Sequence, residues 1–154
     1  MKKLLATAAL AVTLAQPASA ITFSSLTTIY LGSGVYDDGS SASLGEATSI
    51  HCSNVSGVSV QVRVLILGET GTIAGSLTTT LAHGATVTFS THRVAVFDDV
   101  DLGASGVFQG VVNVEATNSA VFCTAAVIDA ASTTPVFSMP LHLVRVNPHP
   151  GTVE

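Results

Sequence analysis

The side chains best suited to covalent chemistry are two cysteines, Cys52 and Cys123, which lie 71 positions apart. Each stands at the centre of a short, largely apolar run, 49–53 and 120–124. Short apolar runs between turn residues are typical of buried strands. We therefore predict that the two cysteines lie on strands of facing sheets and form one disulfide through the core. Two free buried thiols are the alternative.

Three carboxylates, Asp98, Asp99 and Asp101, fall within one predicted loop. Calcium is a hard ion that takes oxygen ligands, so this loop is a candidate Ca²⁺ site. The spacing differs from that of the EF-hand loop, in which alternating acidic residues precede a distal glutamate. A solvated acidic loop that keeps the protein soluble is the competing interpretation. No other cofactor is predicted.

The histidines have no spacing that predicts a metal site. None of the five forms an H-x-H or H-x-x-x-H pair. A copper site of the cupredoxin type needs a histidine and a methionine soon after a cysteine, whereas Cys123 is followed by Met139 and then by His142. A site assembled across strands from His83, His92 and an aspartate stays open, with solvated turn histidines as the alternative.

Signatures of a hydrolase are weak in this chain. There is no G-x-S-x-G nucleophile motif. Ser90-Thr91-His92 places a hydroxyl beside a histidine, but neighbouring residues on a strand point to opposite faces. Asp129 is an unusual carboxylate because it follows an apolar run, and an aspartate hydrogen-bonded at a strand end is the other interpretation of it.

The first twenty residues have the three parts of a secretory signal peptide in the right order. These are a basic start at Lys2-Lys3, an apolar segment at 4–14 and a small-residue cleavage site ending at Ala20. The apolar segment is too short for a membrane span, which takes about 20 residues. We predict cleavage near Ala20, one mature domain at 21–154 and a secreted or periplasmic location, where a disulfide would persist.

The charge of the chain argues against two classes of partner. Five Lys and Arg stand against ten Asp and Glu, which gives a formal net charge of −5. Both lysines lie in the leader, so a basic surface for nucleic acid or anionic lipid is missing from the mature chain. No later apolar stretch is long enough for membrane insertion. The abundance of Ser, Thr and Val favours an all-β extracellular domain.

Alternation of apolar and polar residues predicts the strands. It is clearest at 58–67, where valine or isoleucine occupies every second position from Val58 to Ile66. Further strands are predicted at 21–31, 46–53, 72–81, 85–91, 106–116, 119–130 and 141–146, and a short apolar run at 94–97 precedes the acidic loop. Eight or nine strands with turns at roughly 8–12-residue spacing predict an all-β, immunoglobulin-like sandwich of two sheets with one disulfide. An antibody-type domain is disfavoured, because the chain lacks tryptophan and has Val121 where the corner tyrosine would stand.

Several stretches resemble a group of small exported bacterial β-sandwich proteins to which no activity is assigned. They are 37–39, 48–58, Ser90-Thr91-His92, 122–131, Arg145-Val146-Asn147-Pro148 and Pro150-Gly151. The resemblance covers most of the mature chain. It implies export and paired cysteines, and it implies no ligand or site.

These observations lead to an expectation about function. We expect an exported, non-enzymatic domain that serves in binding, adhesion or the cell envelope, with a protein or glycan as its partner. Edge strands can add a strand from another chain, so self-association is part of this expectation. A Ca²⁺- or carbohydrate-binding module is the alternative, and a hydrolase is less favoured because fold alone does not exclude catalysis.

Overall fold

The structure is a computed structural model that describes residues 24–134 and 136–146. These residues form ten strands and no helix: β1 (Thr27–Asp37), β2 (Glu46–Asn54), β3 (Val60–Leu67), β4 (Ile73–Leu81), β5 (Thr86–Ser90), β6 (Asp99–Asp101), β7 (Val107–Ala116), β8 (Val121–Asp129), β9 (Phe137–Leu141) and β10 (Leu143–Arg145). The all-β prediction is confirmed. The predicted leader at 1–20 and the segment 147–154 lie outside the described residues, which contain no helix able to cross a membrane.

The strands form two five-stranded sheets that face each other across one core. The first sheet has the order β10-β1-β7-β3-β4, and the second has the order β6-β5-β2-β8-β9. Neighbouring strands are antiparallel except for β5 and β6, which are parallel. The two-sheet sandwich predicted from the alternation is therefore confirmed. The count of ten exceeds the predicted eight or nine because β6 and β10 have only three residues each.

β3 shows how a period-two pattern in the sequence identifies the residues that face the core. Val60, Val62, Val64 and Ile66 are all buried, while the residues between them are half-buried on the outer face. The prediction was wrong for Val58, which precedes the strand and is exposed. The alternation of apolar residues in the sequence begins two residues before the strand itself begins at Val60.

β1 begins and ends later than predicted. The prediction placed a strand at 21–31 and a loop at 32–34, whereas β1 runs from Thr27 to Asp37. A Cβ at Gly32 would lie 2.7 Å from the Leu143 side chain of β10. Gly34, with φ of 90°, sits at an irregularity in the pairing with β7. The glycines therefore serve close packing and a bulge within a strand, not a turn.

The predicted last strand at 141–146 is divided between the two sheets. β9 ends at Leu141 on the edge of the second sheet, and β10 begins at Leu143 on the edge of the first. The chain therefore crosses from one sheet to the other at His142. This crossing closes one side of the sandwich.

The short apolar run at 94–97 forms no strand and covers the outer face of the second sheet. Val94 is buried there with Ala126 and Ile128, and Val96 and Phe97 pack against this small cluster. The apolar character of 94–97 therefore reflects a second, satellite core. It explains why β2, β5 and β8 carry buried residues on both faces.

The disulfide between Cys52 and Cys123 is present, but it joins neighbouring strands of one sheet. Cys52 of β2 is the direct register partner of Cys123 of β8, with Cα atoms 4.2 Å apart. That separation fits a non-hydrogen-bonded antiparallel pair, in which side chains approach most closely. The prediction of strands on facing sheets was wrong, because sequence separation does not say whether two strands are neighbours. An immunoglobulin disulfide of the antibody type links the two sheets instead.

Candidate functional site

A buried histidine–aspartate pair lies at one end of the sandwich. His92 Nδ1 is 2.7 Å from Asp37 Oδ2, and both side chains are buried. Asp37 ends β1 of the first sheet, and His92 follows β5 of the second. The other oxygen of Asp37 accepts hydrogen bonds from the backbone N–H groups of Gly39 and Gly106. The pair therefore joins both sheets and two loops.

Both ring nitrogens of His92 have partners within the protein. Its Nδ1 lies 2.7 Å from Asp37 Oδ2, and its Nε2 lies 2.9 Å from the carbonyl oxygen of Leu44. A general base needs a nitrogen that faces a substrate. The contacts of the pair therefore support a structural role.

Thr48 extends this connection between the sheets. Its Oγ1 donates to the carbonyl of Tyr36 at 2.8 Å and accepts from the N–H of Tyr36 at 2.9 Å. Its backbone N–H donates to Oγ1 of Thr91, whose own N–H donates to the carbonyl of Thr48. Buried polar groups that are all hydrogen-bonded specify one arrangement of a core. The end of the sandwich near Asp37 is thus rigidly defined.

A second histidine cluster lies on the outer face of the second sheet. His51 Nδ1 is 2.9 Å from Thr88 Oγ1, and its Nε2 is 3.5 Å from Ser49 Oγ. Phe97 packs edge-to-face on the imidazole with ring centroids 4.6 Å apart. Burial lowers the pKa of His51 below its ordinary value of 6.5.

The His51 cluster resembles a nucleophile and base only in composition. Ser49 is fully buried, so its hydroxyl does not meet a substrate. The group on the second ring nitrogen is the hydroxyl of Thr88, where a catalytic triad has an orienting carboxylate. The run Ser90-Thr91-His92, which was not expected to form a nucleophile–base pair by itself, has other partners: Ser90 donates to Ser49, and His92 contacts Asp37.

The acidic stretch is dispersed in the structure. Asp99 is buried, and its Oδ2 accepts from the N–H of Val94. Asp101 is exposed and accepts from the N–H of Gly103, and Asp98 is exposed. Within 24–134 and 136–146, no three His, Cys, Asp or Glu side chains are grouped so as to hold a metal ion. The calcium site and the cross-strand site of His83 and His92 stay predictions.

Two other carboxylates have local structural roles. Asp129 ends β8 and accepts from the N–H of Ala131, as expected for an aspartate at a strand end. Asp38 accepts from the N–H groups of Ser40 and Glu46. The bond from Ser40 is the main cause that lowers the pKa of Asp38 below its ordinary value.

One cleft combines aromatic and polar side chains. It has a volume of about 320 Å³ and lies between β1, β7 and β9, with Tyr36, Phe108, Gln109 and Met139 in its wall. The rings of Tyr36 and Phe108 meet edge-to-face at 6.0 Å. Phe108 is 65% exposed, which is unusual for a phenylalanine in a strand.

The two sides of the sandwich differ in the contacts that join the two sheets. On the closed side, Arg145 of β10 donates to the carbonyls of Ser119 and Val121, which belong to the second sheet or its approach. Its guanidinium also lies 5.0 Å above the ring of Tyr30 and 5.4 Å from that of Phe122. Arginine is suited to this position because its planar head donates in several directions and stacks on rings.

The opposite, open side ends in β4 of the first sheet and β6 of the second. β4 has nine residues, and among residues 24–134 and 136–146 it pairs on one side only, with β3. Leu77 of β4 and Val87 of β5 are only half-buried at this side. An edge strand presents unpaired N–H and C=O groups that can pair with another strand. β4 is therefore an unprotected hydrogen-bonding surface.

Some of these residues were missed by sequence reasoning. Thr48 and Arg145 had no motif, because their partners lie 12 and 24–115 residues away. Asp37, beside Asp38 and a glycine, had been considered only as a weaker calcium candidate, and its partner lies 55 residues away. Scarcity was the one usable signal for Arg145, since the chain has only three arginines. In comparisons with protein-family models, curated proteins and solved structures, no match to this chain was found.

Proposed function

We propose that this protein is an exported β-sandwich that acts by binding another polypeptide rather than by catalysis. The observation that carries the proposal is the unpaired edge of β4, nine residues long and without proline or charge. Partners that add a strand to such an edge gain main-chain hydrogen bonds, while the side chains at alternate positions give specificity. The two histidine clusters support the proposal, since each is fixed by structural hydrogen bonds.

Export is the second part of the proposal. The disulfide indicates an oxidising, non-cytoplasmic location. The basic, apolar and small-residue segments at 1–20 support a cleaved leader. Mass spectrometry of the protein recovered outside the cytoplasm tests this part. A mature N-terminus near Ile21 is expected, and an intact Met1 would contradict it.

The binding proposal is tested with synthetic peptides and the mature chain. A labelled nonapeptide of alternating Thr and Val residues is titrated with the protein, and its fluorescence anisotropy is measured. We expect saturable binding that disappears when proline replaces the central residue of the peptide, because proline cannot complete the ladder. Equal signals from both peptides would contradict strand addition.

A glycan-binding function is the second candidate, and the exposed ring of Phe108 favours it. The cleft offers the apolar faces of Tyr36 and Phe108 beside the amide of Gln109. Isothermal titration with soluble oligosaccharides would measure binding. We expect loss on Phe108→Ala and retention on Ile73→Ala, a matched control with 64% exposure outside the cleft. Absence of binding to any glycan of the panel would remove this candidate.

A further inference from the structure

We propose that Phe108 divides one elongated binding site into two parts, and that this site takes a linear, uncharged oligosaccharide laid across the strands. This inference rests on the glycan-binding candidate for the function and names its ligand class. The cleft is one part of the site. The other is a hollow of about 210 Å³ on the far side of Phe108, lined by Glu69, Thr70, Thr72 and Ser105.

The cleft and the hollow meet at Phe108, which forms part of the walls of both. Its strand, β7, lies between β1 and β3 in the first sheet. The cleft lies on the β1 side, and the hollow lies on the side of the turn between β3 and β4, to which Thr70 and Thr72 belong. A ligand that fills both therefore crosses β7 and passes over Phe108.

The volumes indicate a ligand that uses both parts. Ligand pockets usually have about 300–1,000 Å³. The cleft, with about 320 Å³, is at the lower end of this range, and the hollow is below it. Taken together they lie well within the range. We therefore expect a chain of at least two sugar units, with one on each side of Phe108.

The walls carry the two kinds of contact that a sugar ring makes. A sugar ring has C–H groups on its faces and hydroxyl groups around its rim. Tyr36 and Phe108 offer aromatic surface, and hydrogens are attracted to the electron-rich face of an aromatic ring. The amide of Gln109 and the hydroxyls of Thr70 and Thr72 can both donate and accept hydrogen bonds. The site thus matches a ligand with an apolar face and a polar rim.

Charge favours a neutral sugar over an acidic one. Among the described residues that line the cleft and the hollow, the charged ones are Glu46 and Glu69, which lie on opposite sides of Phe108. Both are acidic, and no lysine, arginine or histidine accompanies them in these walls. A carboxylated, sulfated or phosphorylated ligand would meet like charge without a cationic partner. The hydroxyls of an uncharged chain can instead donate to the carboxylates.

Strand pairing favours a glycan over a peptide at this site. A peptide that adds to a sheet needs a run of unpaired N–H and C=O groups. The register of β7 extends to Val107 with β1 and to Val111 with β3, which leaves only 107–110 without a strand partner on the β3 side. A peptide strand therefore finds a longer ladder on the nine residues of β4 than it does here.

Buried hydrogen bonds hold both parts of the site in shape. The backbone N–H and C=O of Tyr36 are both bonded to Oγ1 of Thr48. The N–H of Gly106, which lines the hollow, donates to the buried carboxylate of Asp37. Walls that are already ordered reduce the entropic cost of binding. The polar network at this end of the sandwich therefore supports the site as well as the fold.

Isothermal titration of the mature chain measures the length and charge of the preferred ligand. The probes are linear trisaccharides of glucose, mannose and N-acetylglucosamine, the three monosaccharides, and trigalacturonic acid as an acidic counterpart. We expect a neutral trisaccharide to bind about tenfold or more tightly than its monosaccharide, because its linked units fill both parts of the site. Trigalacturonic acid is expected not to bind.

One variant on each side of Phe108 tests whether a single ligand crosses it. Thr72→Val in the hollow and Gln109→Leu in the cleft keep much of the side-chain shape and remove the polar group. We expect each to weaken binding of the same trisaccharide by about fivefold, the value of one net hydrogen bond. Thr78→Val is the matched control, since Thr78 is an exposed threonine of β4 outside both parts. Circular dichroism confirms that each variant is folded.

The outcomes separate this inference from the candidate function on which it rests. A trisaccharide that binds no more tightly than its monosaccharide, or that one of the two variants leaves unaffected, overturns the two-part site and leaves glycan binding in the cleft. Preference for trigalacturonic acid overturns the ligand class. Peptide binding that Phe108→Ala abolishes overturns the glycan as occupant. Absence of binding by every sugar overturns the inference and the glycan candidate together, and it leaves strand addition at β4 as it was.

Discussion

Asp37 satisfies three donors from one buried position, although its partner His92 lies 55 residues away. Replacement by Asn exchanges one carboxylate oxygen for an amide NH₂ group, which cannot accept the hydrogen bonds that Asp37 accepts. A buried polar group that loses its partner costs about 1–3 kcal/mol. We expect Asp37→Asn to lower the free energy of unfolding by about 2 kcal/mol, measured by urea denaturation.

The matched control for this experiment is Asp38→Asn, at the next residue. Asp38 is less buried, and its bonds go to nearby backbone groups. Loss of about 1 kcal/mol or less is expected there. Equal destabilisation by the two changes would contradict a special role for the buried pair.

His51 makes the stability of the protein depend on pH in a defined direction. Burial lowers its folded-state pKa below the unfolded value of 6.5. Between these two pKa values, the unfolded chain binds more protons than the folded one, so stability rises with pH in that window. We expect the free energy of unfolding to fall as pH drops below about 6.5.

Urea denaturation at several pH values measures this dependence. His51→Gln is expected to flatten the slope in that window. Phe97→Ala is expected to reduce it in part, because removal of the ring exposes the imidazole to water. An unchanged slope in His51→Gln would show that other groups cause the dependence.

Sequence reasoning identified the types of these residues and not their partners. His92 was considered with Ser90 and with metal ligands, and its actual partner is Asp37 from a distant strand. Nothing local marks that pair, because it forms only when the two sheets meet. The cysteines could be paired by elimination, whereas their position within one sheet depends on strand order, which the sequence does not encode locally.

At the scale of strands, the alternation of apolar and polar residues predicted the positions of those strands that bury one face. β3, β7 and β8 were placed within a few residues, because each has a buried face that selects apolar side chains at every second position. β1 was misplaced because glycines at close contacts resemble glycines at turns. The apolar character of the segment 94–97 was evident in the sequence, but the satellite core that it covers was not, because that core forms only on the folded sheet.

Gly75 of β4 provides a test of packing between a strand and a loop. A Cβ there would lie 2.6 Å from the carbonyl oxygen of Leu102 and 2.8 Å from Cβ of Ala104. Both neighbours belong to a loop held by hydrogen bonds to Ser90 and Thr91. We expect Gly75→Ala to lower the free energy of unfolding by about 2 kcal/mol through overpacking.

Gly68→Ala is the control, since its Cβ would be 3.8 Å or more from any neighbour. Thermal unfolding should show a lower melting temperature for Gly75→Ala and little change for Gly68→Ala. Similar melting temperatures for the two variants would mean that the loop moves aside without strain.

At the scale of the whole molecule, Arg145 holds the two sheets together on the closed side. It donates across the gap to the carbonyls of Ser119 and Val121 and stacks on Tyr30. We expect Arg145→Ala to lower the free energy of unfolding by about 2 kcal/mol. Arg145→Lys should retain less than half of the stabilisation that is lost in Arg145→Ala, because one ammonium group cannot reproduce the several hydrogen bonds and the stacking of a planar guanidinium.

Arg93→Ala is the control, because Arg93 is an exposed arginine outside this contact. Chemical denaturation of the three variants measures the effect. Full recovery by Arg145→Lys would mean that charge alone, without stacking and geometry, holds the closed side.

The neighbours of β1 are β7 and β10, and Tyr30 is in register with Arg145, 115 residues further along the chain. During translation, the segment that becomes β1 emerges early and waits for partners that are made late. Long-range pairing of this kind is slow and leaves apolar segments unprotected in the meantime. Until its final strands are made, the chain therefore leaves the apolar residues of β1 without the neighbours that cover them in the folded sandwich.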